Sequence, residues 1–145
     1  MSASTAQQTA EHVRERMFAS DRASQAMGMR VVAVAPGRAT LVMTVREDML
    51  NGHAICHGGV IATLADSAFA FACNSYNELT VASGFSIDLI APGALGDVLT
   101  AECSEVTKAG RTGVYDTVVT NQRGQRIALF RGRSHTVKGK PAVDD

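Results

Sequence analysis

Hydrophobic residues change their spacing several times along this chain, and each change marks an element. Residues 5–20 gather Val13, Met17 and Phe18 on one face of a helix, with charges elsewhere. A short turn over 24–27 then ends at Gly28. Residues 29–35 are rich in valine and stop at Pro36-Gly37, a turn signal. Residues 39–46 alternate: Leu41, Met43 and Val45 fall on one side, Thr40 and Thr44 on the other, so 29–46 reads as a hairpin. Residues 57–76 carry Val60, Ile61, Leu64, Ala65, Ala68, Phe69, Phe71 and Ala72, apolar nearly all round. A helix of that kind must be wrapped on most sides. Strand-like segments follow at 80–91, 97–107, 112–121 and 125–137, separated by turn signals at Pro92-Gly93, Ala109-Gly110 and Arg123-Gly124. In the first of these, Val81, Phe85, Ile87 and Leu89 are expected to share a side. Residues 138–145 are expected to fray.

Strands grouped around a single long helix predict an α+β domain with an antiparallel sheet wrapped around that helix. The expected layout is an N-terminal helical segment over 1–28, one domain over 29–137 and a flexible tail over 138–145. One sheet cannot cover all of so apolar a helix. A second copy should bury the remainder, so a homodimer or a dimer of dimers is expected.

Composition narrows the function classes. At 145 residues and 46% hydrophobic content the chain can bury a core of its own. Lys plus Arg and Asp plus Glu balance at 14 each, which argues against a nucleic-acid partner or a polybasic membrane surface. Three widely spaced cysteines, Cys56, Cys73 and Cys103, do not form a disulfide framework and fit a reducing compartment. The first 20 residues lack the basic start and apolar core of a signal peptide. The apolar run over 58–73 is too short for a membrane span and carries a charge in its middle. These features predict a cytoplasmic protein.

That interrupting charge is Asp66. Histidines aside, it is the only charged residue between Asp48 and Glu78, and no Lys or Arg occurs between Arg46 and Lys108. A mid-helix carboxylate on an apolar face has no local cation, and burying it unpaired costs several kcal/mol or more. Either a distant loop donates hydrogen bonds to it, or function requires it; partial desolvation suits a base working near neutral pH. Just upstream, His57-Gly58-Gly59 stands where the helix should begin. Exposed N–H groups and the positive end of the dipole there can stabilise a carbonyl oxygen becoming an oxyanion. The same glycines could equally make a sharp turn into the helix.

Other groupings carry less. His53, Cys56 and His57 invite a metal reading, but no second ligand cluster accompanies them. The stretch misses a CxxCH haem site because His53 stands where the first cysteine is needed. Neither Cys56 nor Cys73 has a base and an orienting partner, and no GxSxG is present.

The residues Asn51-Gly52-His53, Cys56-His57-Gly58-Gly59, Leu64-Ala65-Asp66 and Ala68-Phe69-Ala70-Phe71-Ala72-Cys73-Asn74-Ser75 resemble the PaaI family, hotdog-fold thioesterases of phenylacetate degradation. The likeness continues through Ile87-Asp88, Pro92-Gly93, Thr112-Gly113-Val114-Tyr115-Asp116 and the stretch from Ala128 to His135. The resemblance implies a hotdog fold paired as dimers and commonly tetramers, with active sites at the dimer interface. It also implies roles. Asp66 activates water or attacks the thioester, the Gly58 N–H polarises its carbonyl, and Asn51 holds the carbonyl or the water. A hydroxyl that orients the water matches Ser83, and the carboxylate faces glycine and asparagine of the partner subunit. From its position at the helix start, His57 is expected to contact backbone or substrate, and Gly59 to contact substrate. The implied reaction is hydrolysis of an acyl-CoA, phenylacetyl-CoA or a ring-hydroxylated relative, with no metal or redox cofactor required.

Coenzyme A phosphates need cations. Lys108 and Arg111 flank a turn and are the expected partners; Arg131, Arg133, Arg22, Arg30, Arg38 and Arg46 are alternatives. Two competing functions stand beside hydrolysis. One is a non-catalytic acyl-CoA binder or sensor; the other is a dehydratase acting on acyl carrier protein, whose usual His and carboxylate arrangement fits poorly.

Overall fold

The computed structural model describes residues 4–144. In chain order the elements are α1 (Ala6–Ser20), α2 (Arg22–Ala26), β1 (Arg30–Ala35), β2 (Arg38–Thr44), α3 (Gly58–Cys73), β3 (Thr80–Leu89), β4 (Val98–Ala109), β5 (Thr112–Thr120) and β6 (Arg126–Thr136). A single 3₁₀ turn, Glu47–Met49, precedes α3. The strands form one six-stranded sheet in the order β1-β2-β4-β5-β6-β3, with every adjacent pair antiparallel. The concave face of the sheet wraps α3, the hotdog arrangement implied by the resemblance.

The core explains the wrapping. Leu64, Ala65, Ala68, Phe69 and Ala72 of α3 are buried against Leu41, Leu99, Ala101, Tyr115, Val119, Ile127 and Phe130 of the sheet. Alternation of buried and exposed residues along β5 and β6 is that of strands with one covered face. Gly132 on β6 faces Phe69: a Cβ there would lie 2.7 Å from the ring, so only glycine lets the helix seat that deeply.

At its N-terminus α1 is closed by a capping box in which Thr5 and Gln8 exchange side-chain and backbone hydrogen bonds. Val13 and Ala10 are buried beneath α1, and Phe18 meets Phe71 with ring centroids 6.3 Å apart. Asp21 caps α2 by accepting from the Ser24 N–H and hydroxyl, and the Ser24 hydroxyl meets that of Ser67 at 2.9 Å. The N-terminal segment is thereby fixed to α3 beside Asp66.

One expectation needs correction. Val81 does not share a side with Phe85, Ile87 and Leu89. A bulge between Ala82 and Gly84 reverses the alternation, so Val81 pairs with exposed His135 while the other three pair with buried Gly132, Phe130 and Ala128. Over its described residues the tail is hydrogen-bonded to the rest of the domain. Leu79 N–H donates to the Lys140 carbonyl at 2.9 Å, Val143 N–H to Asn77 Oδ1 at 3.0 Å, and His12 Nε2 meets the Asp144 carbonyl at 3.3 Å. Asp145 lies outside the described residues. No described helix is long and apolar enough to cross a membrane.

Candidate active site

Asp66 sits half-buried at mid-α3 and, among the described residues, forms no hydrogen bond and no ion pair. The distant loop that would have given it a purely structural role does not supply a donor. Burial pushes its carboxyl above the usual carboxylate range, and the negative charge of Asp21 pushes the same way. Asp66 opens into a groove of about 340 Å³ between α3 and the start of β3, with Phe69, Ala70 and Cys73 continuing its own helical face. Asn74 ties these two elements together: its amide nitrogen donates to the Ala70 and Thr80 carbonyls, and its oxygen accepts from the Thr80 N–H.

The start of α3 is a separate corner. His57 is the N-cap, and its Nδ1 accepts from the Gly59 N–H at 3.2 Å. In the neutral ring, Nε2 then carries the proton. Gly59 therefore has its N–H committed to His57, whereas the Gly58 N–H has no partner among the described residues. Gly58 shares a cavity of about 370 Å³ with Asn51, Cys56, Ile61, Leu89 and Pro92. A Cβ on Gly58 would lie 2.6 Å from Leu89 Cδ1, so a side chain there would crowd the mouth of the cavity.

A tight loop holds Asn51 in that cavity. Its Oδ1 accepts from the His53 and Ile55 N–H groups at 2.9 and 3.3 Å, and Ala54 adopts a left-handed φ of 59°. A non-glycine residue in that region costs about 1–3 kcal/mol, and the surrounding hydrogen bonds must over-determine it. With Oδ1 engaged, Asn51 Nδ2 is left without a partner among the described residues and is available as a donor.

Asn51 and Gly58 are thus brought together, but Asp66 is not with them. About two turns of α3, on the order of 12 Å, separate Gly58 from Asp66 along one chain. A single thioester carbon cannot touch both within one subunit.

The remaining expected site residues lie elsewhere. Ser83 occupies the β3 bulge, donates to the Arg133 carbonyl at 3.1 Å and does not line the Asp66 groove; Ala82 and Thr80 do. Lys108 is paired with Glu78 at 3.2 Å and lies 4.3 Å from the Tyr76 ring centroid. The exposed Arg111 side chain makes no ion pair among the described residues. Arg131 is held by both oxygens of Asp116, and Arg46 by Asp48. Burial raises the Cys56 thiol and pushes Cys73 and Cys103 up to about 12, so all three are protonated near neutral pH and poor nucleophiles. Sequence reasoning missed two walls of the groove, Met17 from α1 and Ala142 from the tail. It assigned Met17 only to a helix face and Ala142 to a fraying end.

A model of the thioesterase superfamily matches residues 53–128, a span that holds both Gly58 and Asp66. The acyl-coenzyme A thioesterase PaaI of Escherichia coli is 45% identical over 123 residues, covering 85% of this chain and 88% of that protein.

The chain belongs to the thioesterase superfamily.

It is a hotdog thioesterase of the PaaI family, a hydrolase of thioester bonds. The solved structure of E. coli PaaI, from the phenylacetic acid degradation operon, superposes with a TM-score of 0.92 at 41% identity, covering 94% of this chain and 99% of that one. The TT0310 protein of Thermus thermophilus gives 0.78 at 37% identity, covering 81% and 98%. The smu.793 protein of Streptococcus mutans UA159, solved bound to acetyl CoA, gives 0.74 at 28% identity, covering 77% and 90%.

Proposed function

We propose that this thioesterase hydrolyses aromatic acyl-CoA, phenylacetyl-CoA or a ring-hydroxylated relative, to the free acid and CoA within phenylacetate degradation. The observation that carries the chemistry is Asp66, a half-buried carboxylate with no donor or cation on it, opening into an apolar groove. Support for the acyl-CoA class comes from the E. coli relative and from the S. mutans neighbour bound to acetyl CoA.

The working site is composite. Gly58 and Asn51 of one subunit face Asp66 of a second, because one subunit cannot bring all three to the same carbon. The Gly58 N–H, at the positive end of α3, holds the thioester carbonyl oxygen as it becomes an oxyanion. Asn51 Nδ2 donates to that oxygen or orients the water. His57, with its proton on Nε2, contacts the substrate beside them. Asp66 takes a proton from water as the water oxygen bonds to the carbonyl carbon. The tetrahedral intermediate collapses, the C–S bond breaks, and the thiolate of CoA leaves and is protonated. In the alternative route the Asp66 oxygen attacks directly, and water hydrolyses the resulting anhydride. For the phosphates of CoA, Arg111 is free to engage, whereas Lys108 must exchange Glu78 for a phosphate.

A panel of thioesters from acetyl-CoA to phenylacetyl-CoA, with released thiol monitored, tests this reading. Phenylacetyl-CoA should give the highest kcat/KM, and Asp66→Asn should lower kcat by about 10²–10⁴-fold while leaving substrate binding. Absence of hydrolysis by the wild type, with CoA esters still bound, would make the protein a sensor instead.

A further inference from the structure

Resting on the reading of Asp66 as the hydrolytic carboxylate, we propose that Met17 and Ala142 form a partition that sets the length of acyl group this enzyme accepts. The two residues come from opposite ends of the chain, and both belong to two neighbouring cavities. On one side lies the groove of about 340 Å³ that Asp66 also lines. On the other lies a cleft of about 430 Å³ lined by Arg16, Ser20, Asp21 and Asp144.

The groove suits an uncharged acyl group. Beyond Asp66 its walls are Phe69, Ala70, Leu79 and Val81, together with Cys73, whose thiol stays protonated. The polar groups of Asn74 and Thr80, which also line it, are already satisfied by each other and by the backbone. An acyl group whose carbonyl lies at Asp66 therefore shares this groove with Met17 and Ala142. A chain long enough to pass them leaves an apolar wall and enters a cleft bordered by charges, which costs it the benefit of burial.

Both halves of the partition are held firmly. Met17 projects from α1, which is anchored by its capping box, by buried Val13 and by Phe18 against Phe71. Ala142 is carried by the tail, whose Val143 N–H is fixed to Asn77 and whose Asp144 carbonyl meets His12 of α1. Closing the same gap from two termini gives the tail a purpose that its composition does not reveal.

Kinetics of Met17→Ala and Ala142→Leu, on acetyl-, phenylacetyl- and decanoyl-CoA, test the partition. Met17→Ala should raise kcat/KM for decanoyl-CoA relative to phenylacetyl-CoA by about tenfold, the effect of a methylene or two in an apolar pocket. Ala142→Leu should lower phenylacetyl-CoA turnover by about tenfold, chiefly through KM, with acetyl-CoA little changed. The substitutions act from opposite termini and in opposite directions, so a folding defect in one, seen by thermal melting, leaves the other decisive. Unaltered substrate ratios in folded variants whose hydrolysis still requires Asp66 would overturn the partition alone. Undiminished hydrolysis in Asp66→Asn would overturn the site reading beneath it.

Discussion

At the scale of single residues, Asp66 has a predictable sign. Its folded-state pKa is raised, so between the unfolded value and the folded one the native state binds more protons than the unfolded state. Stability attributable to this residue therefore falls as pH rises from the ordinary 3.8 through the raised value, and the penalty persists above it. Asp66→Asn should accordingly melt at a higher temperature than wild type near pH 7, and the gain should vanish on acidification below the ordinary carboxylate range. Thermal melts of both proteins across pH check this; an Asn variant that melts lower at neutral pH would mean that the carboxylate is favourably paired. The acid limb of kcat/KM should likewise lie above the usual carboxylate range, because the base must be ionised. Asp66 was legible in the sequence as an isolated charge in an apolar run. The place of Ser83, in a bulge and outside the Asp66 groove of its own subunit, was not legible, because no spacing rule announces a bulge. Met17 and Ala142 escaped because their role depends on how two termini dock.

At the scale of elements, α3 and β3 divide the work. The sequence placed α3 within a few residues, since its all-round apolar pattern and its Gly-Gly start leave little choice. Strand β3 was located equally well, but its place at the sheet edge was not, because strand order is a property of the assembled fold. That edge is ten residues long and carries Val81, Phe85 and Leu89 at 47, 44 and 53% exposure. A long apolar edge left open is a template for pairing with another chain. It also ends beside Gly58, where Leu89 makes contact. Phe85→Glu should therefore convert the protein to monomers in sedimentation, keep its secondary structure by circular dichroism and abolish hydrolysis. A monomer that retained full activity would separate catalysis from assembly.

At the scale of the whole molecule, the proposed site divides between the start of α3 and its middle. The start offers donors at Gly58 and Asn51; the middle offers a carboxylate and an apolar groove. Under the proposed two-fold pairing both sites would be completed at once, and the uncovered apolar edge would be buried. The most direct test is subunit complementation between Asp66→Asn and Asn51→Ala. Each variant alone should be nearly inactive, since both sites of its dimer lack one group. Refolded together in equal amounts, half the molecules should be mixed dimers with one intact site, restoring about a quarter of wild-type turnover by statistical pairing of a symmetric dimer. A mixture no more active than its two components would contradict a site shared between subunits.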